Sequence, residues 1–173
     1  MTEEWFDIVN QQGEAIGSAP RCVCHKLPGL LHRAVHVLVF DRTGRLFLQK
    51  RSARKDIQPG SWDTSVGGHP NLGEATEAAA RREMREELGV EPATLTFAYS
   101  YTWRSPVETE RITTYATTHD GPFTLDPVEI DDGRFWTFDD IRAALPGGPF
   151  TPQFTHEFDR ITAWVAAHPA APR

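Results

Sequence analysis

A 23-residue segment, GHPNLGEATEAAARREMREELGV from Gly68 to Val90, constrains the fold of this chain more than any other feature. Its alanine-rich middle predicts a helix from about residue 74 to residue 88, and the glycine that follows provides a helix end. Residues spaced by three and four positions share a helix face, so three glutamates form one acidic stripe. They are Glu83, Glu86 and Glu87. An apolar stripe beside them would pack against a core.

This acidic stripe predicts a binding site for a divalent cation. Carboxylates at helical spacing repel one another unless a positive charge lies between them. Clustered carboxylate oxygens suit Mg²⁺ or Mn²⁺, which retain several waters and can exchange them for the phosphates of a substrate. We therefore expect Mg²⁺, or Mn²⁺, as the cofactor.

Composition and charge narrow the classes of partner. The chain has 173 residues, which suits one domain with a substantial core. Its net charge of −6 argues against bulk nucleic-acid binding, which needs a basic surface. A small phosphorylated substrate remains compatible with this charge, because a bound divalent cation reverses it locally.

The N-terminus and the cysteines indicate where the protein works. The first ten residues, MTEEWFDIVN, lack the basic and apolar regions of a signal peptide, and no apolar run approaches transmembrane length. A disulfide between Cys22 and Cys24 would be strained, which favours a reducing compartment. We therefore expect a cytoplasmic protein without a membrane partner. The oligomeric state is left open.

The distribution of apolar residues predicts several strands and a few helices. Two hairpins come first, over residues 4–20 and 32–51, each with a turn sequence between its apolar runs. A brief strand near residues 64–66 lies in a loop rich in glycine and proline. Further strands are predicted at residues 94–103, 110–119 and 133–138, and helices at residues 138–145 and 151–168.

These elements predict one mixed α/β domain over residues 1–173, in which a central sheet carries helices on its faces. Residues 1–30 would form an N-terminal hairpin and lead-in. Residues 151–168 would form the C-terminal helix, and residues 169–173 a frayed tail.

The spacing within the 23-residue segment resembles the signature of the Nudix hydrolases. Gly68 is followed after five residues by Glu74, and after seven more by the run Arg82-Glu83-Met84-x-Glu86-Glu87-x-Gly89-Val90. This resemblance implies the Nudix fold, an α/β/α sandwich with a central mixed β-sheet. It also implies a metal-dependent enzyme that splits a diphosphate linkage by attack of water on phosphorus.

The same resemblance implies roles for individual residues. The cation would be held by Glu83, Glu86, Glu87 and the backbone carbonyl of Gly67. Arg82 would fix the loop and the acidic cluster, although an ordinary structural ion pair is an alternative role for it. Glu83 or Glu86 would take the proton of the attacking water. In this family the base can instead come from a loop, and the loop candidates are Glu108, Glu110 and Glu129.

From about residue 13 to residue 138 the chain also resembles the Nudix-fold isopentenyl-diphosphate isomerases. The likeness lies in the segments LHRA, RSARKDIQPGSWDTSVGGHPNLGE and VETE. It implies a second divalent-metal site, which would consist of His25, His32, His69, Glu108 and Glu110. It also implies diphosphate binding by Arg51 and Lys55, with Arg21 in place of a lysine.

One departure favours hydrolysis over isomerisation. The isomerases move protons on carbon with a cysteine on one side of the double bond, and position 67 of this chain is a glycine. We therefore expect a hydrolase acting on a nucleoside diphosphate derivative or a nucleoside di- or triphosphate. A true isomerase and a non-catalytic module that binds a nucleotide or a partner are the alternatives. The leaving group cannot be read from the sequence, although Trp62, Tyr101 and Trp103 could stack on a base.

Overall fold

The computed structural model of the protein describes residues 3–55 and 57–169. In these ranges nine strands and four helices follow one another along the chain. They are β1 (Trp5–Val9), β2 (Ala15–Pro20), α1 (Arg21–Cys24), β3 (Leu31–Phe40), β4 (Leu46–Arg51), β5 (Trp62–Asp63), β6 (Val66–Gly68), α2 (Thr76–Leu88), β7 (Thr96–Arg104), β8 (Thr109–Thr118), β9 (Ile130–Trp136), α3 (Phe138–Ala144) and α4 (Pro152–Ala167).

All nine strands belong to one mixed sheet, whose centre is β3. Strand β3 pairs in parallel with β8 along its whole length, from Leu31 opposite Thr109 to Phe40 opposite Thr118. It also pairs antiparallel with β1, β4 and β6. The remaining pairs, β1–β2, β4–β5, β4–β9 and β7–β8, are antiparallel. The short strand β6 pairs with β3 and leads directly into the loop before α2.

Helices cover both faces of this sheet. Successive residues of β3 point to opposite sides, so this strand contributes to a buried cluster on each face. Val35, Val37 and Val39 lie in one buried cluster with residues of α2. Leu38 and Phe40 lie in the other, with residues of α3 and α4. The expected α/β/α arrangement around a mixed sheet is therefore confirmed.

Most elements agree with the sequence prediction to within a few residues. Helix α2 begins at Thr76 rather than near residue 74, and Gly89 ends it in a left-handed conformation with φ 68°. The C-terminal helix begins after Thr151, whose side chain accepts a hydrogen bond from the backbone N–H of Phe154. Residues 170–173 of the predicted tail, and residues 1–2 of the N-terminal segment, lie outside the described residues.

The structure differs from the sequence prediction at two local elements. The single strand expected near residues 64–66 is two short strands, because β5 pairs with β4 whereas β6 pairs with β3. Helix α1 was not predicted, since four residues are too few to give a periodic pattern. Cys22 and Cys24 are both free, as their spacing predicted. Among residues 3–55 and 57–169, no helix has the length and apolar content that crossing a bilayer requires.

Candidate active site

Helix α2 presents its three glutamates at different depths. Its apolar face is buried against the sheet, and this orientation carries Glu87 inward with it. Glu87 is buried and accepts a hydrogen bond from Nε2 of Gln49 at 3.0 Å. The side chain of Glu83 is 13% exposed and that of Glu86 is 56% exposed. The acidic stripe therefore runs from the interior of the protein to solvent.

Arg82 ties this stripe to the loop before the helix. Its Nη1 donates to Glu83 Oε1 at 2.8 Å and to Glu86 Oε2 at 3.0 Å. Its Nη2 donates to Glu74 Oε2 at 2.9 Å and to the backbone oxygen of His69 at 3.0 Å. One guanidinium thus holds two of the predicted metal ligands and the loop in a fixed relation, because its donors have a rigid planar geometry.

The environment of these carboxylates fits a divalent cation. Burial raises the pKa of Glu87 well above its ordinary range, and the charges of Glu83 and Glu129 add to the effect. Burial also raises the pKa of Glu83, against the opposing charge of Arg82. Carboxylates that are disfavoured as anions by burial are stabilised by a nearby cation, and their oxygens are the ligands that Mg²⁺ and Mn²⁺ prefer.

The two glycines at the end of β6 differ in the space around them. A Cβ on Gly68 would overlap the Glu83 carboxylate, so glycine lets this strand approach α2 closely. A Cβ on Gly67 would lie 3.5 Å from Cδ2 of His36 and 3.6 Å from Cγ2 of Thr64, which are ordinary van der Waals distances. A Cβ on Gly67 would therefore fit among its neighbours without displacing them.

The five residues expected at a second metal site come together in space. Ligand atoms of His25, His32 and His69 lie within 4.8 Å of one another, and so do those of His32, Glu108 and Glu110. Nε2 of His69 lies 2.8 Å from Oε1 of Glu110, and Nε2 of His25 lies 3.4 Å from Oε2 of Glu108. These side chains come from the residue after α1, the start of β3, the residue after β6, and the residue before β8 together with the start of β8.

This cluster, which we call the His/Glu cluster, also fits a divalent cation. Nε2 of His25 and Nε2 of His32 are buried, and neither has a hydrogen-bond partner among the described residues. Burial, together with the charge of His69, lowers the pKa of His25 to about 4, so its imidazole is neutral and free to bind a metal. Burial and the charge of Glu110 raise the pKa of Glu108 to about 7. A bound cation would take the neutral imidazole of His25 as a ligand, and it would stabilise the anionic form of Glu108.

A protein-family model identifies the family to which this chain belongs. The family model of the NUDIX domain matches residues 30–158. This chain belongs to the Nudix family.

Relatives of this Nudix chain carry both isomerase and hydrolase names. The isopentenyl-diphosphate Delta-isomerase of Streptomyces avermitilis is 36% identical over 171 residues, which cover 95% of this chain and 84% of that protein. The enzyme of the same name from Nocardia farcinica is 38% identical and covers 84% of this chain and 87% of its own length. Nudix hydrolase 3 of Arabidopsis thaliana is 48% identical over 92 residues, but these make up 12% of that protein and 52% of this chain.

Solved structures confirm the fold. DR0079 from Deinococcus radiodurans has a TM-score of 0.77 and 29% identity, and the match covers 91% of this chain and 98% of that one. The MutT NUDIX hydrolase from Burkholderia pseudomallei has a TM-score of 0.64 at 22% identity, over 76% of this chain and 98% of its own. The expected resemblance to the Nudix family, and to its isopentenyl-diphosphate isomerases, is confirmed.

The three basic residues expected to bind diphosphate all have partners in this structure. Nε and Nη2 of Arg51 donate to the backbone oxygen of Ile57 at 3.1 and 3.0 Å. Arg21 forms an ion pair with Glu4 at 3.1 Å, and Lys55 forms one with Glu129. Because each partner is a carbonyl or a carboxylate, an anionic substrate would have to compete with it for the cationic group.

The aromatic residues considered for base stacking contribute mainly to packing. Trp62 is buried in the core cluster beneath α4, and its ring is covered by the guanidinium of Arg134 at 5.1 Å from the ring centroid. Tyr101 is buried and Trp103 packs on the ring of His156, with centroids 5.2 Å apart. Trp62 and Tyr101 therefore offer no open face for a base.

A buried pair beside Gly67 was not found by sequence analysis. Glu157 of α4 lies 2.6 Å from Nδ1 of His36 in β3, and Gln153, one turn earlier in α4, donates to Oε2 of Glu110 at 2.6 Å. The available signal was two polar residues on the otherwise apolar inner face of α4. Burial opposes protonation of His36, but the Glu157 carboxylate outweighs it and raises the pKa of His36 to about 9.

Proposed function

We propose that this Nudix protein is a metal-dependent hydrolase that cleaves a diphosphate linkage, in a nucleoside diphosphate derivative or a nucleoside di- or triphosphate. The observation that carries the proposal is the combination at β6. The complete acidic helix lies on one side of it, while position 67 has no side chain to move a proton on carbon. A small phosphorylated compound is the partner that such a site suits.

The residues of this chain would divide the work as follows. Glu83, Glu86, Glu87 and the carbonyl of Gly67 would hold Mg²⁺ or Mn²⁺, which would neutralise the diphosphate and make the attacking water more acidic. Water would attack one phosphorus, the bond to the bridging oxygen would break, and the water proton would pass to a carboxylate. Glu86 and Glu83 are candidates for that carboxylate, and Arg82 holds both in place.

Two of the loop candidates for the base are placed less favourably for this role, because Glu108 and Glu110 face the imidazoles of the His/Glu cluster. Glu129 is paired with Lys55, as Glu83 and Glu86 are paired with Arg82, so it stays a candidate beside them. Glu110 has its pKa lowered to about 2, because hydrogen bonding and charge from His69 outweigh the effect of burial. A carboxylate with so low a pKa is a weak base.

Isomerisation of isopentenyl diphosphate is the second candidate function. The His/Glu cluster favours it, because all five residues that match the isomerases in sequence are brought together. The relatives from Streptomyces avermitilis and Nocardia farcinica carry that name. Gly67 is the reason to place this function second, since a glycine offers neither an acid nor a base.

A turnover assay with matched variants tests the proposed function. Nucleoside diphosphates, triphosphates and nucleotide sugars would be incubated with Mg²⁺ or Mn²⁺, and both products identified. The double variant Glu86→Gln, Glu87→Gln keeps side-chain size while removing two ligand charges, so we expect turnover to fall about 100-fold or more. The control Glu77→Gln changes an exposed residue of the same helix that pairs with Arg81, and it should keep full activity. Full turnover in the double variant would contradict the proposal.

A further inference from the structure

An open cavity lies beside the first turn of α2, between this helix and the strands β3, β7 and β8. Its volume is about 340 Å³, which falls in the size range of binding sites for small molecules. Residues that line it include Arg33, Thr76, Phe97, Ser100, Arg111 and Tyr115. Cationic, hydroxyl and aromatic side chains therefore meet at one concave surface.

This cavity lies on the opposite face of the sheet from the His/Glu cluster. Arg33 directly follows His32 along β3, and Arg111 directly follows Glu110 along β8. Successive residues of a strand point to opposite faces, so the two arginines point away from the cluster. Among the described residues that line the cavity, none belongs to the acidic stripe or to the His/Glu cluster.

The lining carries two cations, and one of them is without a carboxylate partner. Arg33 lies opposite Arg111 in the parallel pairing of β3 with β8, so two like charges are neighbours. Arg33 forms an ion pair with Asp7. In the part of the chain that the structure describes, Arg111 forms no such pair. An anionic ligand would compensate this charge.

The turn between β1 and β2 holds the side chain of Arg111 in place. Nη1 of Arg111 donates to the backbone oxygen of Gln11 at 3.0 Å. A Cβ on Gly13 would lie 2.9 Å from Nε of Arg111, so glycine lets the turn approach the guanidinium closely. Because a guanidinium has five N–H donors, this contact fixes the group and still leaves donors for the oxygens of a phosphate.

Four hydroxyl groups line the cavity as two pairs. Oγ1 of Thr76 lies 2.8 Å from the hydroxyl oxygen of Tyr115, and the hydroxyl of Ser100 donates to Oγ1 of Thr113 at 3.4 Å. Each hydroxyl has one proton and one proton serves each pair, so each pair keeps a second proton that it can donate. These donors and the two arginines suit a phosphate monoester, which presents three unesterified oxygens.

Phe97 adds an exposed aromatic ring to this polar lining. Its side chain is 58% exposed, although large apolar side chains are usually buried. It contacts Tyr115 in a T-shaped arrangement, with the ring centroids 6.3 Å apart. A planar aromatic group of a ligand can stack on the part of the ring that remains in solvent.

We propose that this cavity is a binding site for a nucleoside monophosphate, separate from both candidate metal sites. The phosphate contacts Arg111, Arg33 and the hydroxyl groups, and the base stacks on Phe97. Binding needs no divalent cation, because the arginines supply the positive charge. The inference does not depend on the proposed function, since the cavity and the acidic stripe are formed by different residues.

Binding in the absence of metal is the first test. AMP, GMP, CMP and UMP would each be titrated by calorimetry into the intact protein with EDTA present, with adenosine and inorganic phosphate as fragments. We expect saturable binding of one nucleotide per chain, about tenfold or more tighter than either fragment, because the phosphate and the base both contribute. Failure of all four nucleotides to bind, or equal affinity for inorganic phosphate, would overturn the inference.

Two substitutions with matched controls test the two kinds of contact. Phe97→Ala should raise the dissociation constant about tenfold, as expected for the loss of one stacked base. Val128→Ala shortens another exposed apolar side chain and should leave the constant within about twofold. Arg111→Gln should weaken binding about tenfold or more, whereas Arg142→Gln, at an exposed residue of α3, should not change it.

Each substitution can contradict the inference by itself. An unchanged constant in folded Arg111→Gln would remove the phosphate contact. If that variant does not fold, Phe97→Ala decides, because its side chain is exposed and its removal costs little packing. Unchanged binding in Phe97→Ala would exclude stacking and with it a nucleotide as the ligand.

NMR of the ¹⁵N-labelled protein locates the bound nucleotide. We expect the amide shifts of Phe97, Ser100 and Arg111 to change on titration without metal. Changes confined to Glu83, Glu86 and their neighbours would place the nucleotide at the acidic stripe and contradict the inference. A protein that binds a nucleotide in this cavity but hydrolyses nothing would contradict the proposed function alone.

Discussion

Gly67 and Gly68 are consecutive residues of β6, and a Cβ would meet different surroundings at each. Gly68 lies so close to α2 that any Cβ there would overlap the carboxylate of Glu83. The position of Gly67 has room for a Cβ beside His36 and Thr64. A side chain at 68 would therefore displace the carboxylate of Glu83, whereas a Cβ at 67 would fit beside its neighbours.

This difference gives a residue-scale prediction. Gly68→Ala should weaken Mn²⁺ binding about tenfold or more, because the flexible side chain of Glu83 would move away rather than the backbone. Gly17→Ala is the control, because a Cβ there would meet no heavy atom within 4 Å, and it should keep the affinity for Mn²⁺. Titration of Mn²⁺ followed by electron paramagnetic resonance measures both. Equal Mn²⁺ affinity in Gly68→Ala and the unmodified protein would contradict the assignment of Glu83 as a ligand.

Sequence analysis succeeded at this scale where spacing along one helix sufficed. The common face of Glu83, Glu86 and Glu87 follows from helical periodicity. The contact of Arg82 with Glu74, which precedes α2, agrees with the role that the family resemblance implied for Arg82. Periodicity does not predict how deeply a side chain is buried, so only the structure shows that Glu87 is buried and Glu86 is exposed. The pair of His36 and Glu157 could not be predicted, since 121 residues separate its members.

At the scale of elements, the residues of the turn between β3 and β4 themselves determine its conformation. Oδ1 of Asp41 accepts hydrogen bonds from the backbone N–H groups of Thr43 and Arg45, each at 2.9 Å, and from the Thr43 hydroxyl at 2.8 Å. Nε of Arg45 donates to its Oδ2 at 2.6 Å. The sequence DRTG predicted this turn because aspartate at the first position favours such bonds. Strands β5 and β6 were less predictable, because their partners are distant in sequence.

We predict that Asp41→Ala destabilises the protein by about 1–3 kcal/mol at pH 7, since it removes the carboxylate that accepts four hydrogen bonds in this turn. Burial opposes ionisation of Asp41, but the hydrogen bonds from Arg45 and Thr43 prevail and lower its pKa. A carboxylate with a lowered pKa stabilises the fold above its unfolded-state pKa, and this contribution disappears as the pH falls through its folded-state pKa.

Urea unfolding at pH 7 and near pH 3 measures this effect. The stability difference between Asp41→Ala and the unmodified protein should shrink on acidification. Asp139→Ala, at a side chain that is 93% exposed and pairs with Arg142, is the control and should change stability little at either pH. A difference that grows towards acid pH would contradict the role given to Asp41.

At the scale of the whole molecule, the sheet joins sites that are scattered along the chain. The parallel pairing of β3 with β8 sets His32 opposite Glu110, and β6 carries His69 to the same place. Helix α4 then contacts both regions, through Gln153 to Glu110 and through Glu157 to His36. The resemblance to a family predicted the members of the His/Glu cluster, but their assembly depends on strand order, which local patterns do not contain.

The whole molecule therefore combines an isomerase-like cluster with a position 67 that lacks the isomerase cysteine. Our account holds that the second feature decides the chemistry. A protein of this kind should bind a diphosphate at β6 and transfer its phosphorus to water. It should have no means of protonating a carbon–carbon double bond from the side of Gly67.

The most direct test is to incubate the protein with isopentenyl diphosphate, in the presence of Mg²⁺ and Zn²⁺, and to follow all products by proton and phosphorus NMR. A nucleoside diphosphate would be run in parallel under the same conditions. Our account predicts that no dimethylallyl diphosphate forms, and that the nucleoside diphosphate is hydrolysed in a reaction that requires Glu86 and Glu87. Robust formation of dimethylallyl diphosphate by the unmodified protein would contradict it.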